Sequence, residues 1–234
     1  MPLRLFHSRN VAGANLVQAL LVAGMFAMFF LGALYMQRIL GYDALEVGLA
    51  FLPATLAMGT MSLRFSDRLN MRFGPRATLI PALGLICGGL LLFARTPVDG
   101  NYVTDLMPPM ILLGLGAGTG FPALMMLAMS GATPSDSGLA SGFVNTSVQV
   151  GGAIGLAVLA TLATERTDGL LADGTAHDAA LNSGYHLAYL IGAVLVLTAI
   201  GVAVTVLQST APPSAAEERQ TETALAEQAY SEAA

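Results

Sequence analysis

Long stretches without a charge alternate along this chain with short stretches that hold nearly all of its charges. There are 28 uncharged residues between Arg9 and Arg38, 17 between Glu46 and Arg64 and 18 between Arg76 and Arg95. Another 30 separate Asp105 from Asp136, and 28 separate Asp136 from Glu165. A sixth apolar stretch follows Asp178 and is strongest from Leu187 to Leu207. Roughly 20 apolar residues in a helix cross about 30 Å of hydrocarbon, and a charge at the centre of a span is strongly disfavoured, so the uncharged intervals mark spans. The pattern predicts six of them, at about 11–37, 47–63, 77–94, 106–132, 138–164 and 187–208. A soluble helix would carry a polar stripe at helical period, and a membrane strand would alternate over about ten residues; these runs do neither. The expected fold class is an all-α membrane protein.

The arginines set the expected orientation, because positive charge is retained on the cytoplasmic side. Arg64, Arg68, Arg72 and Arg76 lie between spans two and three, and Arg4 and Arg9 precede span one, whereas Arg38, Arg95 and Arg166 are scattered over the opposite loops. Both termini are expected in the cytoplasm of a cell whose plasma or inner membrane the chain crosses. The run after Arg9 is too long for a signal-peptide core and lacks a small-residue cleavage site, so span one is expected to stay in the protein. Residues 1–9 read as a cytoplasmic linker, 10–208 as one six-span bundle and 209–234 as an acidic cytoplasmic tail. Residues 165–185, with Glu165, Asp168, Asp173 and Asp178, predict a solvated external connection holding a helical turn or two at most.

Composition agrees with the bilayer. The chain is 55% hydrophobic and 11% charged, with ten Arg, no Lys and fifteen acids, for a net charge of −5. No nucleic acid is expected as a partner, since that needs a basic face. One cysteine, Cys87, excludes an internal disulfide, and no metal-ligand spacing occurs. No hydrolase arrangement or nucleotide-binding glycine loop appears in its required context, so neither an enzyme nor a cofactor is expected.

Four segments carry candidate chemistry. The stretch from Arg64 to Arg76 contains Asp67, Arg68, Arg72, Gly74 and Arg76 and reads as a tight basic turn, with Gly74 giving backbone freedom and Pro75 stopping the helix. It either controls topology alone or closes a cytoplasmic gate by pairing with neighbouring helices. In span five, steps of four, four and three residues align Ser141, Asn145, Gln149 and Gly152 along one stripe. These polar groups either bond and pack between helices, with Gly138, Gly142, Gly151, Gly152 and Gly155 allowing close approach, or line a substrate cavity through Asn145 and Gln149. Span one adds Asn15 and Gln18, then Phe26, Phe29 and Phe30 among methionines, a soft surface suited to varied apolar ligands. Asn15, Gln18, Phe26 and Phe30 join the cavity candidates. Span four, with Pro108, Pro109, four alternating glycines from Gly114 to Gly120 and Pro122, is expected to bend.

Several of these segments fall in a recognisable order. The segment Leu3-Arg-Leu-Phe-His-Ser-Arg9-Asn10, then Leu40-Gly-Tyr-Asp-Ala-Leu-Glu46-Val-Gly48-Leu-Ala-Phe-Leu-Pro53, Arg72-Phe-Gly74-Pro75-Arg76, the glycine-rich fourth span and Gly138 to Gly155 together resemble the C-terminal half of a major facilitator superfamily transporter. The closest likeness is to the fourteen-span drug:proton antiporters, over residues 3 to 208. The resemblance implies one major-facilitator bundle built as a 3+3 inverted repeat. It also implies proton-coupled efflux of lipophilic or cationic small molecules by alternating access. Three features depart from the family pattern, the first being that Met71 stands at the acid of the cytoplasmic signature, with Asp67 at its first glycine. Leu156 replaces the proline of the glycine signature, and Val148 replaces an arginine. No Asp, Glu or Lys lies inside a predicted span, so proton coupling would require a partner. The expected partners are the lipid bilayer, a small-molecule substrate and either an N-terminal transporter half or a second copy. The rival expectation is a non-transporting membrane interaction protein or truncated remnant that regulates a full-length transporter.

Overall fold

A computed structural model describes residues 9–130 and 137–208. The linker before Arg9, the end of the fourth predicted span and the acidic tail lie outside the described residues. Among the described residues, six helices are long and apolar enough to cross a membrane. They are α1 (Arg9–Arg38), α2 (Ala44–Phe73), α3 (Pro75–Phe93), α4 (Tyr102–Met129), α5 (Ser137–Ala172) and α6 (His177–Thr205). The shortest, α3, has 19 residues, and at 1.5 Å per residue it reaches about 28 Å, close to the hydrocarbon thickness. No strand occurs among the described residues.

Local chemistry explains several boundaries. Asp43 and Glu46 form a reciprocal capping box at the start of α2: the Glu46 N–H donates to Asp43 Oδ1 at 2.8 Å, and the Asp43 N–H donates to Glu46 Oε2 at 2.9 Å. The α-helical pattern of α2 breaks at Phe51, two residues before Pro53, and loosens into a π turn over Met61–Phe65. Gly74 ends α2 with φ 82°, a conformation that L side chains rarely adopt, and Pro75 begins α3 where its missing N–H is no loss. At the start of α4, Asn101 Oδ1 accepts the Val103 N–H at 2.9 Å.

The helices extend past the expected spans at two places, and both change the picture. Arg64, Arg68 and Arg72 sit on helix, not in a turn; only Gly74 separates α2 from α3. No proline stands between Pro53 and Gly74, and Asn70 Nδ2 donates to Ser66 Oγ at 3.2 Å, with both residues buried. This leaves the arginines, spaced four apart, on the exposed side. Second, residues 165–185 are almost wholly helical, with only Asp173–Ala176 between α5 and α6. Buried Thr167 holds this hairpin closed, its hydroxyl donating to Ala163 O at 2.8 Å and lying 3.4 Å from Ala180 O. The Ala- and Leu-containing sequence is helix-favouring once α6 lies against it.

Packing follows one rule. α1 lies against α5 and α6, as α4 lies against α2 and α3; α5 meets α6 as α2 meets α3; and α1 touches α4, as α3 touches α6. Exchanging α1 with α4, α2 with α5 and α3 with α6 returns the same set of neighbours. Because each triplet has an odd number of crossings, its second copy starts on the opposite side, which is the neighbour pattern of a 3+3 inverted repeat. Glycines make the equivalent α4–α2 and α5–α1 crossings close. Gly114 and Gly118 face the backbone of Ala54 and Met58, and Gly151 and Gly155 face that of Ala19 and Ala23.

The core between these helices holds Leu21, Met28, Tyr35, Leu83, Ile86, Leu90, Phe93 and Tyr189. Buried residues make up 61% of the most apolar stretch in α1 and in α4, against 17% in α2 and 22% in α5. α2 and α5 are therefore the outlying helices. At the end of the bundle that carries Arg38, Asn182 Nδ2 and His186 Nε2 both donate to Thr96 O, at 2.9 and 2.8 Å. Tyr35 Oη donates to Pro97 O at 2.6 Å. These bonds pin the α3–α4 connection against α1 and α6.

Candidate functional site

The amides of the bundle fall into two environments. Asn15 is buried, its Nδ2 donating to Val11 O at 2.8 Å and its Oδ1 accepting from Ser147 Oγ at 3.1 Å. Gln18, one turn on, is 5% exposed, and its Oε1 accepts no hydrogen bond. Both are cavity candidates by sequence, and both lie inside the bundle. The reason is that α1 is a central helix, with α4, α5 and α6 covering most of its circumference.

Asn145 and Gln149 are exposed, in contrast. Their stripe on α5 runs on to Gly152, which is buried against the Phe26 ring: a Cβ there would stand 2.6 Å from Phe26 Cε2. This contact fixes the stripe beside the phenylalanines of α1, where Phe26 and Phe30 are 39% and 47% exposed. Four of the six cavity candidates, Phe26, Phe30, Asn145 and Gln149, thus share one open face between α1 and α5. Phe29 turns toward α2, its ring 5.4 Å from that of Phe51.

The glycine candidates divide in the same way. Gly151, Gly152 and Gly155 meet α1. Among the described residues, nothing lies within 4 Å of a Cβ added at Gly138 or Gly142, and neither makes a close helix contact. The expectation of a packing motif at Gly138 and Gly142 is corrected accordingly: the helices cross at the level of Ala19 and Ala23, and this stretch of α5 lies beyond the crossing.

At the end carrying Gly74, Arg76 reaches α6. Its Nη2 donates to Val204 O at 2.5 Å, and its Nε lies 3.4 Å from Ala203 O. These carbonyls belong to the last turn of α6, which lacks intrahelical partners and carries negative partial charge. Arg76 therefore ties α3 to α6 within this bundle. Asp67, Arg68 and Arg72 are exposed, with the Arg72 guanidinium 5.3 Å from the Phe73 ring centroid. Gln208 and Asn10 complete the fastening, the Gln208 N–H donating to Asn10 Oδ1 at 2.7 Å.

Two depressions flank α5. One, of about 540 Å³, is walled by apolar groups such as Leu16, Leu20, Val150, Ile154 and Leu195. The other, of about 220 Å³, lies between α1, α5 and α6 at the opposite end from Gly74 and includes Arg38, Thr164, Thr167, Asp168, His177 and Tyr185. Sequence reasoning missed this second group because it ended the fifth span at residue 164. The available signal was the continued four-residue step from Ala160 through Thr164 to Asp168. No group of His, Cys, Asp and Glu able to hold a metal occurs among the described residues.

The family description Major Facilitator Superfamily matches residues 2–156. The chain is 37% identical over 196 residues to the puromycin resistance protein pur8 of Streptomyces alboniger, covering 80% of this chain and 39% of that protein. It is 36% identical over 182 residues to the cephamycin export protein CmcT of Amycolatopsis lactamdurans, covering 76% and 36%. Against the lincomycin resistance protein of Streptomyces lincolnensis it is 33% identical over 162 residues, covering 69% and 33%. The chain thus spans between about a third and two fifths of the length of these relatives.

Proposed function

The chain belongs to the Major Facilitator Superfamily, a family of membrane transporters rather than enzymes, and on that premise we propose that it is the C-terminal six-helix half of a drug exporter. The relatives named for resistance to puromycin and lincomycin and for export of cephamycin support an organic small-molecule substrate. In this reading the bundle sits in the cell membrane with the Arg76 end in the cytoplasm, and a second six-helix bundle, from an N-terminal half or a second copy, covers the open α1–α5 face. The assignment to fourteen-span proton antiporters rests on the order of sequence motifs.

The observation that carries the proposal is the open face itself. Asn145 and Gln149 are exposed within a span, and an amide facing hydrocarbon is costly, so water, substrate or a second bundle must meet them. Phe26 and Phe30 beside them give an adaptable apolar surface, the combination that ligand sites use: broad apolar walls with a few polar groups. Arg76, bonded within its own bundle, supports a positioning role for the basic segment more than a latch to another bundle. The uncharged spans of this chain offer no acid for proton coupling, so the coupling acid is assigned to the partner bundle.

The test is proton-driven efflux of a lipophilic cationic dye from cells expressing this chain with and without a compatible N-terminal half, with insertion verified in both. Efflux only on co-expression is the expected result. Efflux by the chain alone would overturn the partner-supplied acid and point to an active homodimer. Absence of efflux in both would favour the non-transporting interaction protein.

A further inference from the structure

The cavity at the Arg38 end holds polar groups that the open α1–α5 face does not use. Tyr185 is 4% exposed, and the partner for its buried hydroxyl is Arg38. It lines a cavity of about 220 Å³ whose walls also include Arg38, the last residue of α1, and His177, the first residue of α6. The Arg38 guanidinium is the charged neighbour of the Tyr185 hydroxyl. α6 enters this wall without a side-chain cap, since Ala176 stands at its N-cap. The first turn of this 29-residue helix, the end that carries positive partial charge, therefore lies at the rim of the same cavity. Phe30, Leu31, Leu34, Leu171 and Leu181 supply the apolar remainder of the wall.

The Arg38 guanidinium, the Tyr185 phenol beside it and the uncapped helix N-terminus at the same end of the bundle supply donors and positive charge to one cavity, which together match an oxyanion. The charged groups that oppose one are Asp168, on the α5 wall, and Asp178, in the first turn of α6; Glu165 and Asp173 lie close by in the chain. We propose that this cavity binds the carboxylate of a small amphiphilic organic acid, with Arg38 and Tyr185 holding the carboxylate and the leucines and Phe30 holding the apolar body. Asp168 weakens the site for a simple anion, since it places a like charge on the facing wall. The inference rests on the transport reading only in treating the cavity as the mouth of the α1–α5 path. Binding is read on the chain itself, so its failure and a failure of transport are separate results.

The probe is naphthalene-1-acetate, with its uncharged amide as the control, measured by equilibrium dialysis against the full chain in phosphatidylcholine nanodiscs. The acid is expected to bind saturably and at least about fivefold more tightly than the amide. Arg38→Gln should weaken the acid by about tenfold and Tyr185→Phe by about threefold, with the amide unaffected. Asp168→Asn should tighten the acid by about two- to fivefold, a gain that damage to the fold would not produce. Equal binding of acid and amide would overturn the proposal, as would indifference to Arg38→Gln or weaker binding in Asp168→Asn. Nanodiscs containing phosphatidylglycerol separate the two sources of an oxyanion. Undiminished binding supports the small acid, and displacement by the lipid would assign the cavity to a headgroup and overturn it.

Discussion

Replacing Gly155 with alanine adds one methyl group at the tightest point of the α1–α5 crossing. A Cβ at Gly155 would collide with Ala23 Cα and Cβ, and one at Gly151 would stand 2.8 Å from both Ala19 Cα and Ala19 O. Ordinary carbon contacts lie near 3.5–4.0 Å, so the overlap is on the order of 1 Å or more. The obstructing atoms are mostly backbone of a central helix, which cannot swing aside as a flexible side chain would. Relief requires α5 to move off α1, stretching the Ser147–Asn15 hydrogen bond, now 3.1 Å, and the contact of Gly152 with Phe26. Overpacking of this kind costs about 1–3 kcal/mol, and Gly151→Ala with Gly155→Ala in one chain should reach the upper end. Gly138→Ala and Gly142→Ala are the matched controls. Among the described residues nothing lies within 4 Å of either Cβ, so alanine there should be neutral or stabilise by up to about 1 kcal/mol through helix propensity. The assay is reversible denaturant unfolding of the purified chain in mixed micelles, followed by helicity. If Gly155→Ala is no less stable than Gly142→Ala, the α1–α5 crossing is not the close contact described.

Asn15→Ala and Ser147→Ala should each destabilise the bundle by about 0.6–1.7 kcal/mol, and a double-mutant cycle should return a coupling energy of the same order; a zero coupling would refute the bond between them. Arg76→Ala should leave the α6 carbonyls at Ala203 and Val204 without their partner, loosening the last turn at a cost of about 1–2 kcal/mol, read as faster amide exchange after residue 200 with little change in α4. Gly74→Ala forces a side chain into φ 82°, ψ 154° and should destabilise by about 1–3 kcal/mol, whereas Gly48→Ala, with open space at its Cβ and a helical backbone, should not. Asn145→Leu and Gln149→Leu should keep the unfolding midpoint of the parent chain while reducing dye efflux in the co-expressed pair; unchanged efflux would remove these amides from the path.

Six spans are legible in the order of residues because crossing hydrocarbon is a local requirement: each stretch must satisfy its own backbone and exclude charge whatever its neighbours do. The α2 start at Asp43 and Glu46 and the stop at Gly74–Pro75 are local in the same sense, since cap and turn chemistry acts within a few residues. What the spans face is not local. They carry almost no polar contrast around their circumference, so a four-residue step aligns Asn145 with Gln149 without saying which side is covered. Asn15 and Asn145 look alike in sequence; the central place of α1 buries the first, and the outlying place of α5 exposes the second. The same holds for the glycines, where spacing is identical in the pair Gly138 and Gly142 and the pair Gly151 and Gly155, and only the second pair lies where helices cross. Charge also misled at the ends. Charges end spans, which makes Arg64 to Arg72 and Glu165 to Asp168 look like connections, yet a helix in contact with a neighbour continues past the hydrocarbon. Local sequence thus determined which segments enter the membrane, and tertiary packing decided the azimuth of each helix and how far it runs beyond it, because both depend on contacts with residues distant in the chain.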